Sequence, residues 1–205
     1  DRRRARERIH KLKTQLNKVE RISQVGRKSR ENAFRIAIVG YTNAGKSSLF
    51  NLLCKENIYV EDKLFATLDT HTRKLYLSND APVQVIISDT VGFIDRLPHT
   101  LIASFKSTLS EVVEADLLIH LIDSSDKNIE EKIIKVENTI KEIGASEIKS
   151  LSVFNKIDCI DEIQKNKIQI LYNNPIFISA KNNINIENLR KIILNTILEL
   201  NKVEY

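Results

Sequence analysis

The chain has 205 residues, 42% of them hydrophobic, and a net charge of +5. That length supports one full-sized core with an appendage and leaves little room for two ordinary domains. The longest apolar runs, such as "LLIHLID" and "VQVIIS", are strand-length and fall far short of the roughly 20 residues that cross a bilayer, so no membrane span is expected.

No stretch combines the basic start, apolar middle and small-residue cleavage site of a secretory leader. The two cysteines, Cys54 and Cys159, are far apart and have no metal-type spacing. These features fit a reducing cytoplasm. The chain begins at Asp1 and contains no Met, as expected of a fragment whose natural start lies upstream.

Charge is unevenly distributed. Residues 1–31 hold 12 of the 32 Lys and Arg and 4 of the 27 Asp and Glu, a balance of +8; the remainder carries −3. In this arm Ile9, Leu12, Leu16, Val19 and Ile22 recur at steps of three and four, which predicts an amphipathic helix with a narrow apolar stripe. A basic arm of this kind suits nucleic-acid phosphates, and a solvated helix face would have the same composition. "GRKSREN" breaks the pattern, so residues 1–33 are read as arm and linker and 34–205 as the main domain.

Strands are then expected at Phe34–Val39, Thr72–Leu77, Val83–Ser88, Leu117–Ile122, Ser150–Phe154 and Ile176–Ile178. Helices are expected over 46–54, 99–114, 127–143, 160–171 and 185–200. The alternation implies an α/β fold with a mostly parallel six-stranded sheet covered by helices on both faces. "LYLSNDAPVQVIIS" is the exception, since two strands joined by a short turn form a hairpin and make one strand antiparallel.

Four motifs fall at strand ends. "GYTNAGKS" comprises Gly40, Tyr41, Thr42, Asn43, Ala44, Gly45, Lys46 and Ser47, with Ser48 following. It sits between a strand and a helix, the context that a phosphate-binding loop requires. Its N–H groups can wrap a polyphosphate, Lys46 can reach the outer phosphates and the Ser47 hydroxyl can hold Mg2+. "DTVG", formed by Asp89, Thr90, Val91 and Gly92, places a carboxylate where it can hold that metal through a water, and an N–H where it can sense a third phosphate.

In "NKID" the Asp158 carboxylate can accept from guanine N1–H and the 2-amino group. Asn155 would brace the loop and the Lys156 stem would cover the base. "SAK", Ser179, Ala180 and Lys181, would offer an N–H to the guanine oxygen. Each short motif is weak alone, but their shared order and strand-end placement describe a guanine-nucleotide-binding domain. An ATP-binding kinase is the nearest enzyme alternative, and Asp158 argues against it. Between the first two motifs, "LFATLDTHTR" supplies Thr67, preferred over Thr70 and Thr72, to complete the metal shell when a third phosphate is present.

The segments "GYTNAGKSSLFN", "LFATLD", "DTVGFI", "LPH", "ADLLIHLID" and "NKID" resemble the HflX family of ribosome-associated GTPases along essentially the whole chain. The resemblance implies a P-loop GTPase domain preceded by the end of an N-terminal helical region. It also implies a substrate GTP, a product GDP, and binding to the RNA and proteins of the large ribosomal subunit, in ribosome splitting or rescue or in assembly. Carried over by position, the nucleotide contacts are Gly40 to Ser47, Phe65, Ala66, Thr67, Leu68, Asp69, Asp89 to Gly92, Asn155 to Asp158 and Ser179 to Lys181. Ser47 and Thr67 become the Mg2+ ligands.

Two departures stand out. Thr70 replaces the Pro that often follows "FATLD", which should loosen that segment. Asn182 and Asn183 replace the Gly often found after "SAK", a tolerable change because Asn enters left-handed conformations readily.

Phe93 stands where many nucleotide switches carry a Gln that orients the attacking water. Phe cannot hydrogen-bond a water, so slow turnover is expected until a partner or an ion completes the site, with Lys46, Thr67, Gly92 and Asn43 as the catalytic candidates. Related GTPases use an Asn at the position of Asn43 to hold K+; the same Asn can simply cap the turn. His99 reads as a helix-start residue and His120 as a strand residue. The whole is expected to act as a cytoplasmic monomer. The alternatives are another GTPase of this group, in tRNA modification or ribosome biogenesis, and a GTP-gated binding module with negligible turnover.

Overall fold

The computed structural model describes residues 33–55, 71–77, 83–90 and 110–202. These belong, from Phe34 onward, to one compact unit. The arm, "LFATLD", most of "DTVGFIDRLPH" and most of the helix expected over 99–114 lie outside the described residues, although residues 110–113 are helical.

The described elements run β1 (Phe34–Val39), α1 (Lys46–Lys55), β2 (His71–Tyr76), β3 (Gln84–Asp89), β4 (Leu117–Asp123), α2 (Ile129–Glu142), β5 (Lys149–Asn155), α3 (Glu162–Leu171), β6 (Ile176–Phe177) and α4 (Ile186–Lys202). The six strands form one sheet in the order β2-β3-β1-β4-β5-β6. Among the described strands only β2 and β3 pair antiparallel, with Thr72 opposite Ser88; the other neighbouring strands are parallel. The sequence pattern therefore anticipates the architecture, with strand ends differing by one residue or so.

Strand alternation divides the core. Ile36 and Ile38 of β1, Ile87 of β3 and Leu117, Ile119 and Leu121 of β4 face one side, with Leu49 and Leu53 of α1 and Leu189, Ile193 and Ile197 of α4. On the other side Ala37, Val39 and Leu118 pack on Val136 and Ile140 of α2, while Ile122 and Phe154 meet Ile133 and Ile168 of α2 and α3. Central strands buried on both faces explain why "LLIHLID" and "FRIAIV" read as nearly continuous apolar runs.

The starts of α2 and α3 each fall two residues after the expected position, the first behind a turn and the second at a side-chain cap. The Asp126 carboxylate accepts the Asn128 N–H at 2.9 Å, holding residues 126–128 in a turn, so α2 begins at Ile129 rather than 127. At α3 the Asp161 side chain caps the Gln164 N–H at 2.8 Å, which sets the start at Glu162 rather than 160.

Ile119 is fully buried at the centre of β4, between β1 and β5. Ile119→Ala should cost about 2–5 kcal/mol through lost burial and the residual cavity. Urea denaturation should show this as a lower midpoint with an unchanged slope.

Candidate functional site

The C-terminal ends of β1, β3, β4, β5 and β6 deliver the motifs to one edge of the sheet. Gly40 follows β1 at φ 152°, and a Cβ there would lie 2.3 Å from the Leu121 carbonyl oxygen. The turn continues through Asn43 at φ 63° and Gly45 at φ 96°, and α1 opens at Lys46. This is a nest of backbone N–H groups leading into a helix N-terminus, an arrangement that attracts anions.

Lys46 is only 7% exposed. Its ammonium donates to the carbonyl oxygens of Gly40 at 3.1 Å and Tyr41 at 2.9 Å. Burial pulls its pKa down to about 8, partly opposed by the nearby Asp89 carboxylate. Ser47 and Ser48 are exposed at the start of α1, whereas Asp89 is buried at the end of β3. The Thr90 hydroxyl donates to the Ile38 carbonyl at 2.6 Å, tying the end of β3 to β1.

Asn155, at the end of β5 and 3% exposed, joins three of the loops. Its Nδ2 donates to the Ala44 carbonyl at 2.8 Å, and its Oδ1 accepts the Ala180 N–H at 2.9 Å. The Ala180 N–H is therefore already engaged, whereas the sequence reading kept an N–H of "SAK" for a base. Gly45 is required by this clasp: a Cβ at that position would lie 2.4 Å from Asn155 Nδ2.

Lys156 takes left-handed φ 65°, and Asp158 two residues on is exposed. A hydrogen bond from the Ser179 hydroxyl holds the Asp158 carboxyl below the usual carboxylate range. The Lys156 ammonium pairs with Asp123 Oδ2 at 2.6 Å, a partner absent from the sequence reading. The available signal was a carboxylate closing the buried run "LLIHLID", the same strand-end placement that singled out Asp89.

Thr72 lies within β2, as expected, with its hydroxyl 3.3 Å from Ser88 Oγ. His120 is 4% exposed on β4, and burial lowers its pKa to about 4, leaving it neutral at pH 7. The structure thus gathers Gly40 to Ser48, Asp89, Thr90, Asn155, Lys156, Asp158 and Ser179 to Lys181 at one sheet edge. Phe65 to Asp69, including Thr67, lie outside the described residues, as do Val91, Gly92, Phe93 and His99.

Such an edge, with an anion-binding loop beside an exposed carboxylate on a braced turn, defines the class of P-loop nucleotide-binding domains. Residues 35–156 match the family model described as "50S ribosome-binding GTPase", and the chain belongs to that family. Within it the resemblance to HflX GTPases holds. The chain is 44% identical over 191 residues to GTPase HflX of Magnetococcus marinus, covering 92% of this chain and 44% of that protein. It is 43% identical over 166 residues to GTPase HflX of Escherichia coli, covering 80% and 38%. The chain thus spans less than half the length of these curated relatives. Among solved structures, a GTP-binding protein from Sulfolobus solfataricus in complex with GDP superposes with a TM-score of 0.65 at 30% identity, covering 94% of this chain and 62% of that one.

The lowered pKa of Lys46 has a definite sign. Without an anion, the charged form is disfavoured in the fold, so Lys46 reduces stability below about pH 8 and the penalty disappears as pH rises from there towards 10.5. An anionic phosphate beside Lys46 would restore the proton. GDP binding should therefore take up close to about one proton at pH 9 and little at pH 7, as read by calorimetry in buffers of different ionisation enthalpy.

Proposed function

We propose that this chain is the GTP-binding and GTP-hydrolysing part of a cytoplasmic, ribosome-associated GTPase, with residues 34–205 as the nucleotide domain and 1–33 as a basic arm that contacts ribosomal RNA. The observation that carries the reading is the Asn155 clasp, which brings a phosphate loop and the exposed carboxylate of Asp158 to one sheet edge. Asp158 would accept from guanine N1–H and the 2-amino group, with Lys156 along the base and the 179–181 loop beside it. Gly40 to Ser48 would wrap the phosphates, and Lys46 would leave its two carbonyl partners for the outer phosphate oxygens.

The donor set suits Mg2+. Ser47 is an exposed hydroxyl at the phosphate loop and Asp89 a carboxylate at the adjacent strand end. Mg2+ is commonly held by one or two such oxygens together with substrate phosphates and water. Bound there, Mg2+ would neutralise charge developing on the phosphates. Thr67 and Gly92 would sense the third phosphate, and Phe93 leaves a nucleophilic water without a hydrogen-bonding side chain. Intrinsic hydrolysis is therefore slow, and the large ribosomal subunit is the partner proposed to complete the site; stimulation by partners of this kind reaches about 10^3 to 10^5. The left-handed Asn43 in the phosphate loop is proposed to hold K+.

Phe93 also supports a second reading, a GTP-gated binding module whose turnover is incidental. Turnover separates the two. In K+ and Mg2+, purified large subunits should accelerate GTP hydrolysis by this chain or its full-length parent at least about 100-fold. Absence of acceleration in both would favour the module. Equal rates in K+ and Na+ would remove K+ from the scheme.

Asp158→Asn should weaken GTP binding by at least about 100-fold while improving binding of xanthosine triphosphate. The amide donates where the carboxylate accepted, and xanthine carries a carbonyl in place of the 2-amino group. Competition between the two nucleotides gives the ratio directly.

A further inference from the structure

Tyr41 lies one residue inside the phosphate loop, and its carbonyl oxygen accepts both the Ala44 N–H at 3.3 Å and the Lys46 ammonium at 2.9 Å. Where Tyr41 sits therefore sets the curl of the loop and the starting position of Lys46. The ammonium of Lys132, from the first turn of α2, lies 4.5 Å from the centroid of the Tyr41 ring, well within cation–π range.

Lys132 is aimed there by Asp126. One oxygen of that carboxylate accepts the Asn128 N–H at 2.9 Å, and the other pairs with the Lys132 ammonium. The Asp126 N–H in turn donates to the Asp123 carbonyl at 3.3 Å, and Asp123 pairs with Lys156. The loop between β4 and α2 is thus continuous, through named contacts, from the base-side Lys156 to the phosphate-side Tyr41.

We propose that Lys132 is a positioning residue for the phosphate loop, acting through the Tyr41 ring. When Lys46 turns to a nucleotide phosphate, Tyr41 O loses the ammonium that it holds in the absence of ligand. The contact between ring and Lys132 does not involve Lys46 and persists, keeping the loop in its binding shape through that exchange. The proposal rests on the nucleotide-binding reading and adds a residue that contacts no ligand itself.

The test is GDP affinity, in Mg2+, of the full 205-residue chain and its Lys132→Met, Lys132→Arg, Tyr41→Leu and Lys132→Met/Tyr41→Leu variants, with guanosine affinity and thermal midpoint measured alongside. Lys132→Met should weaken GDP binding about 3- to 10-fold. Lys132→Arg, which keeps a cation over the ring, should stay within about 2-fold of the parent. Guanosine, which lacks phosphates, should bind all Lys132 variants equally. In the Tyr41→Leu background, Lys132→Met should add less than about 2-fold, since the contact is already gone. An unaltered GDP affinity in Lys132→Met would overturn the proposal, as would an equal loss in both backgrounds or a loss shared by guanosine and unrescued by Arg. Failure of the parent chain to bind GDP would overturn this proposal together with the nucleotide reading, which distinguishes the two failures.

Discussion

The site depends on one buried amide. Asn155 has a donor and an acceptor less than 3 Å from backbone groups of two different loops, and at 3% exposure it has little recourse to water. Removing either partner would strand a buried polar group, which typically costs about 1–3 kcal/mol. The amide sits at the end of β5, so the register of the sheet fixes the distance between the phosphate loop after β1 and the 179–181 loop after β6. Gly45 follows from the same contact, because a methyl group there would occupy the space of the Asn155 amide.

A second constraint is burial of charge. Lys46 is held out of water by the loop that it serves, with carbonyl oxygens as its hydrogen-bond partners. Desolvation lowers its pKa towards neutrality, so the loop is poised for an anion that restores full charge. Lys156 and Lys132 are solvated more freely and are each paired with a carboxylate, Asp123 and Asp126. Three lysines along one sheet edge therefore have different tasks because their burial and partners differ. The end of β4, with Asp123, and the loop that follows it, with Asp126, link the base side of the site to its phosphate side.

The parallel sheet makes this economy of position possible. The central strands are buried on both faces, so few polar groups are tolerated along them, and chemistry collects where strands emerge. Asp89, Asp123 and Asn155 all end strands. Thr90, just past β3, uses its hydroxyl to tie β3 to β1. The Thr90 side chain thus holds two strand ends together beside the site, a role that a strand-end position alone does not reveal.

Periodicity and punctuation in the sequence determined the element order, the hairpin, the two-faced sheet and the location of the motifs at strand ends, because these follow from local pattern and burial. The phosphate loop and Asp158 were legible because their chemistry is carried by short contiguous spacings. Tertiary structure alone decided that Asn155 engages Ala44 and Ala180, residues 111 and 25 positions away, that Asp123 holds Lys156, and that Lys132 covers Tyr41. Nothing in the local pattern distinguishes Lys132 from the other lysines of a charged helix. Its position over the ring is set by the Asp126 turn and by packing of α2 on the sheet, through contacts between segments remote in the chain.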